Sequence, residues 1–194
     1  MTNKEAGRFL GPLVFFFVLL GMLLIVMGVG RAQVQSASGE SPAFSEFKQH
    51  VKDYVALQKG LPRLRPTRQR KEIVARRSAL AQKIRETRPN AKVGDIFTPE
   101  IAKEFQRVIQ SVFQGPNAAN VRKTIRQGEP LPGWKLSVNG EYPEHLPLTT
   151  IPPTLLVRLP QLPAEVAYGL IGHDFILQDV EARVVIDFIA GALP

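Results

Sequence analysis

The chain has 194 residues, enough for one hydrophobic core even after a targeting segment is set aside. It contains no cysteine, which excludes disulfides, thiolate metal sites, iron–sulfur clusters and a cysteine nucleophile. The formal charge of +8 is concentrated: Lys59 to Lys92 holds twelve Lys/Arg against Glu72 and Glu86, whereas Val93 onward holds eight basic residues against eleven acidic ones. So one-sided a block points to an anionic partner, while a solvated Arg-rich helix face is the plainer reading.

Lys4 and Arg8 precede a charge-free apolar run, Leu10–Gly30, which includes Phe15, Phe16, Phe17, Leu19 and Leu20. A basic start followed by an apolar stretch is the pattern of a membrane-targeting segment, and Gly30-Arg31-Ala32 offers small residues for cleavage before Gln33. A stretch of about twenty apolar residues also suffices to span a bilayer. Two outcomes therefore stand for residues 1–32: a cleaved signal peptide with a periplasmic or secreted product, or an uncleaved inner-membrane anchor through residues 9–30 with the domain outside the cytoplasm.

Residues 33–40 (QVQSASGE) have the composition of a flexible spacer, and 41–128 read as a helical region. Ser41-Pro42 is a helix start, with Phe44, Phe47, Val51, Tyr54 and Val55 at helical spacing before Gly60. The prolines of Leu61–Pro66 interrupt it, and a basic helix over residues 67–88 follows, with Ile73, Leu80 and Ile84 as a narrow docking stripe. Its cations supply the candidate anion-binding set Arg68, Arg70, Lys71, Arg76, Arg77, Lys83 and Arg85. Thr98-Pro99 opens a third helix whose face is Ile101, Phe105, Val108, Ile109 and Val112, and a short fourth covers about Asn117 to Gln127.

From Glu129 to the end the chain turns proline-rich and β-like. Trp134–Val138 followed by Asn139-Gly140 is a hairpin signal, and Leu155–Leu159 reads as a short strand. Val166–Ile171, Gly172-His173-Asp174 and Phe175–Gln178 read as strand, tight turn, strand. Arg183–Ile189 reads as a third strand with Val184, Ile186 and Phe188 on one face, in preference to a helix over Val180–Ile189. The expected class is α+β: three to four helices, then a small antiparallel sheet.

No Gly-rich phosphate loop, G-x-S-x-G elbow or H-E-x-x-H helix occurs, and Ser78, Ser111 and Ser137 lack a nucleophile context, so neither an enzyme nor a cofactor is expected. His50 and His145 read as surface or packing residues. His173, Asp174 and Asp179 form the alternative site, a metal-binding or acid–base cluster, with turn chemistry as the competing explanation.

Leu159-Pro160, Leu162-Pro163, then Tyr168 to Leu177 with the closing Val185-Ile186, resemble the small C-terminal module of the periplasmic nickel/cobalt-homeostasis family and the ending of exported bacterial proteins. The resemblance covers some thirty residues; Leu170 stands where that family's Trp is expected, and no functional residue transfers. It implies an envelope location. The sequence thus points to an exported or anchored cell-envelope protein with a binding or structural role, its basic helix touching anionic lipid or polymer. Nucleic acid becomes the partner only if that helix faces the cytoplasm, and no aromatic residue within it could stack on a base.

Overall fold

Helix α1, Pro42–Gly60, begins where Pro42 presets the first turn and the Ser41 carbonyl accepts from the amides of Phe44 and Ser45. The Ser41 side chain makes no cap bond and instead hydrogen-bonds the Glu104 carboxylate. In this computed structural model, residues 41–61, 68–116, 118–125, 135–142 and 151–194 are described, so the apolar segment 1–32 and the spacer 33–40 lie outside the described residues.

Phe47, Val51, Tyr54 and Val55 of α1 are buried, as their spacing predicts. Helix α2, Arg70–Thr87, follows the expected basic helix, but its apolar stripe docks over its second half only: Ala81 and Ile84 are buried, whereas Ile73 is exposed. Helix α3, Pro99–Phe113, starts at Thr98, whose side chain accepts from the Ile101 amide, and buries the whole expected face together with Phe113. Helix α4 spans Ala118–Ile125 and buries Val121.

The expected strand at Leu155–Leu159 is not formed. Pro152 and Pro153 fix a backbone suited to a helix start, the Pro152 carbonyl accepts from the amides of Leu155 and Leu156, and the result is a single helical turn, α5, Pro153–Leu156. The Asn139-Gly140 turn is present, with Asn139 at φ 60°, but its segment pairs elsewhere than the hairpin signal implies. Residues 139–142 lie along the last strand, where Asn139 N donates to Val185 O (2.8 Å), Val185 N to Gly140 O (2.9 Å) and Tyr142 N to Arg183 O (2.7 Å). A Cβ on Gly140 would fall 2.5 Å from Ser137 Oγ and 2.9 Å from the Ser137 carbonyl oxygen, so any larger residue forces this turn to shift.

Strands β1 (Val166–Ile171), β2 (Asp174–Asp179) and β3 (Val184–Ile189) form an antiparallel sheet in sequential order. Gly172 at φ 56° turns β1 into β2. The expected alternation fails in β3 because Gln178 pairs with Val185 but Leu177 pairs with Asp187, leaving Ile186 as the extra residue of a β-bulge. The bulge resets the pleat, so Val184, Ile186 and Ile189 join the main core while Phe188 packs with Ile171, Ile176 and Val185 on the other face.

Helical and β parts share that main core, in which Phe47, Phe97, Phe105, Tyr168 and Phe175 form one aromatic cluster. Phe105 sits within 4.9–6.0 Å, ring centre to ring centre, of Phe47, Phe97, Tyr168 and Phe175. The architecture is α+β, as expected.

Candidate anion-binding surface

Helix α2 carries Lys and Arg over most of its surface because its core stripe is narrow, and the fold divides those cations into two groups. Three are neutralised by carboxylates. Arg76 pairs with Glu181, Arg85 Nη1 with Glu141 (3.2 Å) and Lys83 with Glu86 (2.7 Å). The first two partners belong to the acidic C-terminal half of the chain, so sequence separation hides them. Lys83 and the Gln82 amide hold Glu86 below the usual carboxylate range through their hydrogen bonds.

Arg68, Arg70 and Lys71 form the second group. Arg70 and Lys71 open α2 and Arg68 precedes it by two residues; all three are exposed and have no ion pair among the described residues. Arg77 turns inward and lines, with Arg76 and Glu181, an open groove of about 440 Å³ whose apolar side chains are Ile73, Ala164 and Val180. Glu165 on the same groove is paired with Lys59 at 2.7 Å. Both carboxylates of the groove are therefore paired, and Arg68, Arg70 and Lys71 are not among its lining residues.

The last turn of α2 is anchored. The Arg88 guanidinium lies 5.3 Å from the Tyr54 ring centre, its Nη1 donates to Asn139 Oδ1 (3.2 Å), and Asn139 Nδ2 returns a bond to the Arg88 carbonyl (2.9 Å). The helix is thus fixed at its C-terminal end, with the cation-rich end farthest from this clamp.

The alternative cluster is split by the sheet. His173 Nδ1 donates to the Leu193 carbonyl (3.3 Å) and Asp174 accepts from the Gly191 amide (2.8 Å), so both tie down the C-terminal tail. Asp179 is at the far end of β2, roughly 17 Å away at the rise of an extended strand. There it accepts from Tyr54 Oη (2.9 Å) and the Ala182 amide (2.7 Å). Among the described residues no three His, Asp or Glu side chains converge to hold a metal ion. His50 Nδ1 donates to the Ile96 carbonyl at 3.2 Å, a packing role, and His145 lies outside the described residues.

Burial pushes the Asp179 carboxyl above the usual carboxylate range, against the opposing pull of the amides of Ala182 and Glu181 and the Tyr54 hydroxyl. Burial, reinforced by the adjacent Asp179, pushes the Tyr54 hydroxyl upward as well. Asp187, close to the alternative cluster in sequence, is a second buried carboxylate and is spent instead on the amides of Gly94 (3.0 Å), Ile96 (2.8 Å) and Phe97 (2.8 Å). Its signal was available: a lone Asp inside Val-Val-Ile-Asp-Phe-Ile must be buried and satisfied by donors.

No protein-family model matches the chain, and neither a curated protein nor a solved structure is found to be similar to it. Among the described residues no helix is long and apolar enough to cross a membrane.

Proposed function

We propose that this is a cell-envelope protein, exported or anchored through residues 9–30, with a binding or structural role in which α2 holds an anionic component of the envelope. The observation that carries the reading is the cation group Arg68, Arg70 and Lys71, exposed at and just before the start of α2 while neighbouring cations are consumed by Glu181, Glu141 and Glu86. Cations so placed attract a polyanion without the desolvation cost of a buried pair, and their contribution falls as salt screens them.

The test compares the full chain with an R68Q/R70Q/K71Q variant, titrated against soluble dextran sulfate and against phosphatidylglycerol vesicles at low and high salt. Three cations at about 1 kcal/mol each near an anionic surface predict a loss on the order of a hundredfold at low salt, shrinking at high salt. Equal binding of both polyanions by parent and variant at low salt would end the proposal.

A further inference from the structure

The first two turns of α2 carry a second feature that an anionic polymer would not require. Ile73 and Val74 are 40% and 39% exposed, although the helix two to three turns further on, at Ala81 and Ile84, is completely buried. Among the described residues the helix is therefore covered over its second half only. Val180, 50% exposed, lines the same groove as Ile73, and at helical spacing Arg70 and Lys71 lie one turn before Ile73 and Val74.

The arrangement of charge narrows the partner. A small multivalent anion needs cations converging on a point, but both carboxylates of the groove are already paired, Glu181 with Arg76 and Glu165 with Lys59, and they flank its remaining cation, Arg77. What is left is exposed cations one helical turn from exposed aliphatic groups, a local pairing that suits a lipid headgroup layer, where apolar stems enter and cations meet phosphates. We infer that the partner of this surface is an anionic phospholipid bilayer, with Ile73 and Val74 entering the headgroup region while Arg68, Arg70 and Lys71 meet the phosphates. The inference rests on the anion-binding reading and names its partner. It assigns α2 to the membrane surface, in addition to whatever residues 9–30 do.

The chain has no cysteine, so a single substitution supplies a unique labelling position. Full-length V74C, carrying a polarity-sensitive fluorophore, is reconstituted into bilayers with and without phosphatidylglycerol, each with and without brominated lipid. V157C serves as the comparison, because Val157 is a more exposed apolar residue, at 81%, that is far in sequence from Arg68, Arg70 and Lys71 and has a single cation, Arg158, beside it. The expected result is a blue shift and brominated-lipid quenching at position 74 in the anionic bilayer, lost on adding R68Q/R70Q/K71Q, with neither change at position 157. Equal quenching at both positions, or none at position 74, overturns the inference. In the second case, retained dextran sulfate binding that depends on Arg68, Arg70 and Lys71 would leave the anion-binding reading standing with a polymer as partner; loss of that dependence would remove both.

Discussion

The Tyr54 hydroxyl on α1 donates to the Asp179 carboxylate at the end of β2, 2.9 Å away and 125 residues along the chain. Because the Arg88 guanidinium lies over the Tyr54 ring, this one side chain joins α1, the end of α2 and the sheet. The basic helix is held in place by that junction, so its integrity is a precondition for the surface described above.

Removing the hydroxyl should be felt globally. Y54F keeps the ring and its stacking on Arg88 but deprives the buried Asp179 of a donor, with an expected cost of about 1–3 kcal/mol. For a domain of this size that corresponds to a fall in melting temperature of about 2–4 °C per kcal/mol, read by calorimetry or thermal circular dichroism. An unchanged midpoint would show that the bond contributes nothing net.

Asp179 also predicts a direction for pH. Its folded pKa is raised by burial, so the contribution of the neutral acid is complete below the ordinary carboxylate pKa of about 4 and is lost as pH rises through the raised folded value. In D179N the amide oxygen accepts from Ala182 and the amide nitrogen donates to Tyr54, with no titration. Urea unfolding across that window should show the parent losing stability relative to D179N as pH increases; parallel curves would contradict the assignment.

Asp187 is the keystone of the loop that leads into α3. The carboxylate satisfies amides of Gly94, Ile96 and Phe97, and also its neighbour Phe188 at 2.8 Å. D187N keeps the shape but turns an NH₂ toward these donors, so a cost of about 3 kcal/mol or more is expected, since each bond to a charged acceptor is worth roughly 1.5–3 kcal/mol. G94A is expected to cost about 1–3 kcal/mol for a different reason, the φ of +92° that an alanine resists, because its Cβ would meet nothing closer than Phe97 O at 3.7 Å. Denaturant midpoints of the two variants separate these effects.

F105A removes the centre of the aromatic cluster. Phe105 is completely buried, so the loss is expected to be about 3–5 kcal/mol, with the near-ultraviolet circular dichroism of the fold diminished in proportion to the unfolded fraction.

Local signals in the sequence carried local structure. Ser41-Pro42 and Thr98-Pro99 marked two helix starts, and the run Ile101, Phe105, Val108, Ile109, Val112 gave the complete buried face of α3, because a strong 3.6-residue period leaves little alternative. The β1–β2 hairpin was equally legible from Gly172 between two apolar strands. Three features were not. The turn at Pro153–Leu156 reads as strand until Pro152 and Pro153 are seen as a helix start, and Phe188 changes face because a bulge at Ile186 resets the pleat. The basic helix showed its cations but not their partners: Glu181 and Glu141 reach Arg76 and Arg85 only once the sheet is folded, so the proposed anion contacts narrow to Arg68, Arg70 and Lys71.

The most direct test of an envelope role is the location and N-terminal sequence of the natively expressed protein, with protease access to α2 from the outer side. The account predicts either a mature chain beginning at Gln33 in the periplasmic fraction or an uncleaved chain in the membrane fraction, cut within residues 67–88 by protease added from outside the cytoplasm. An uncleaved chain in the soluble cytoplasmic fraction, or a membrane-bound one whose basic helix is cut only from the cytoplasmic side, would contradict it.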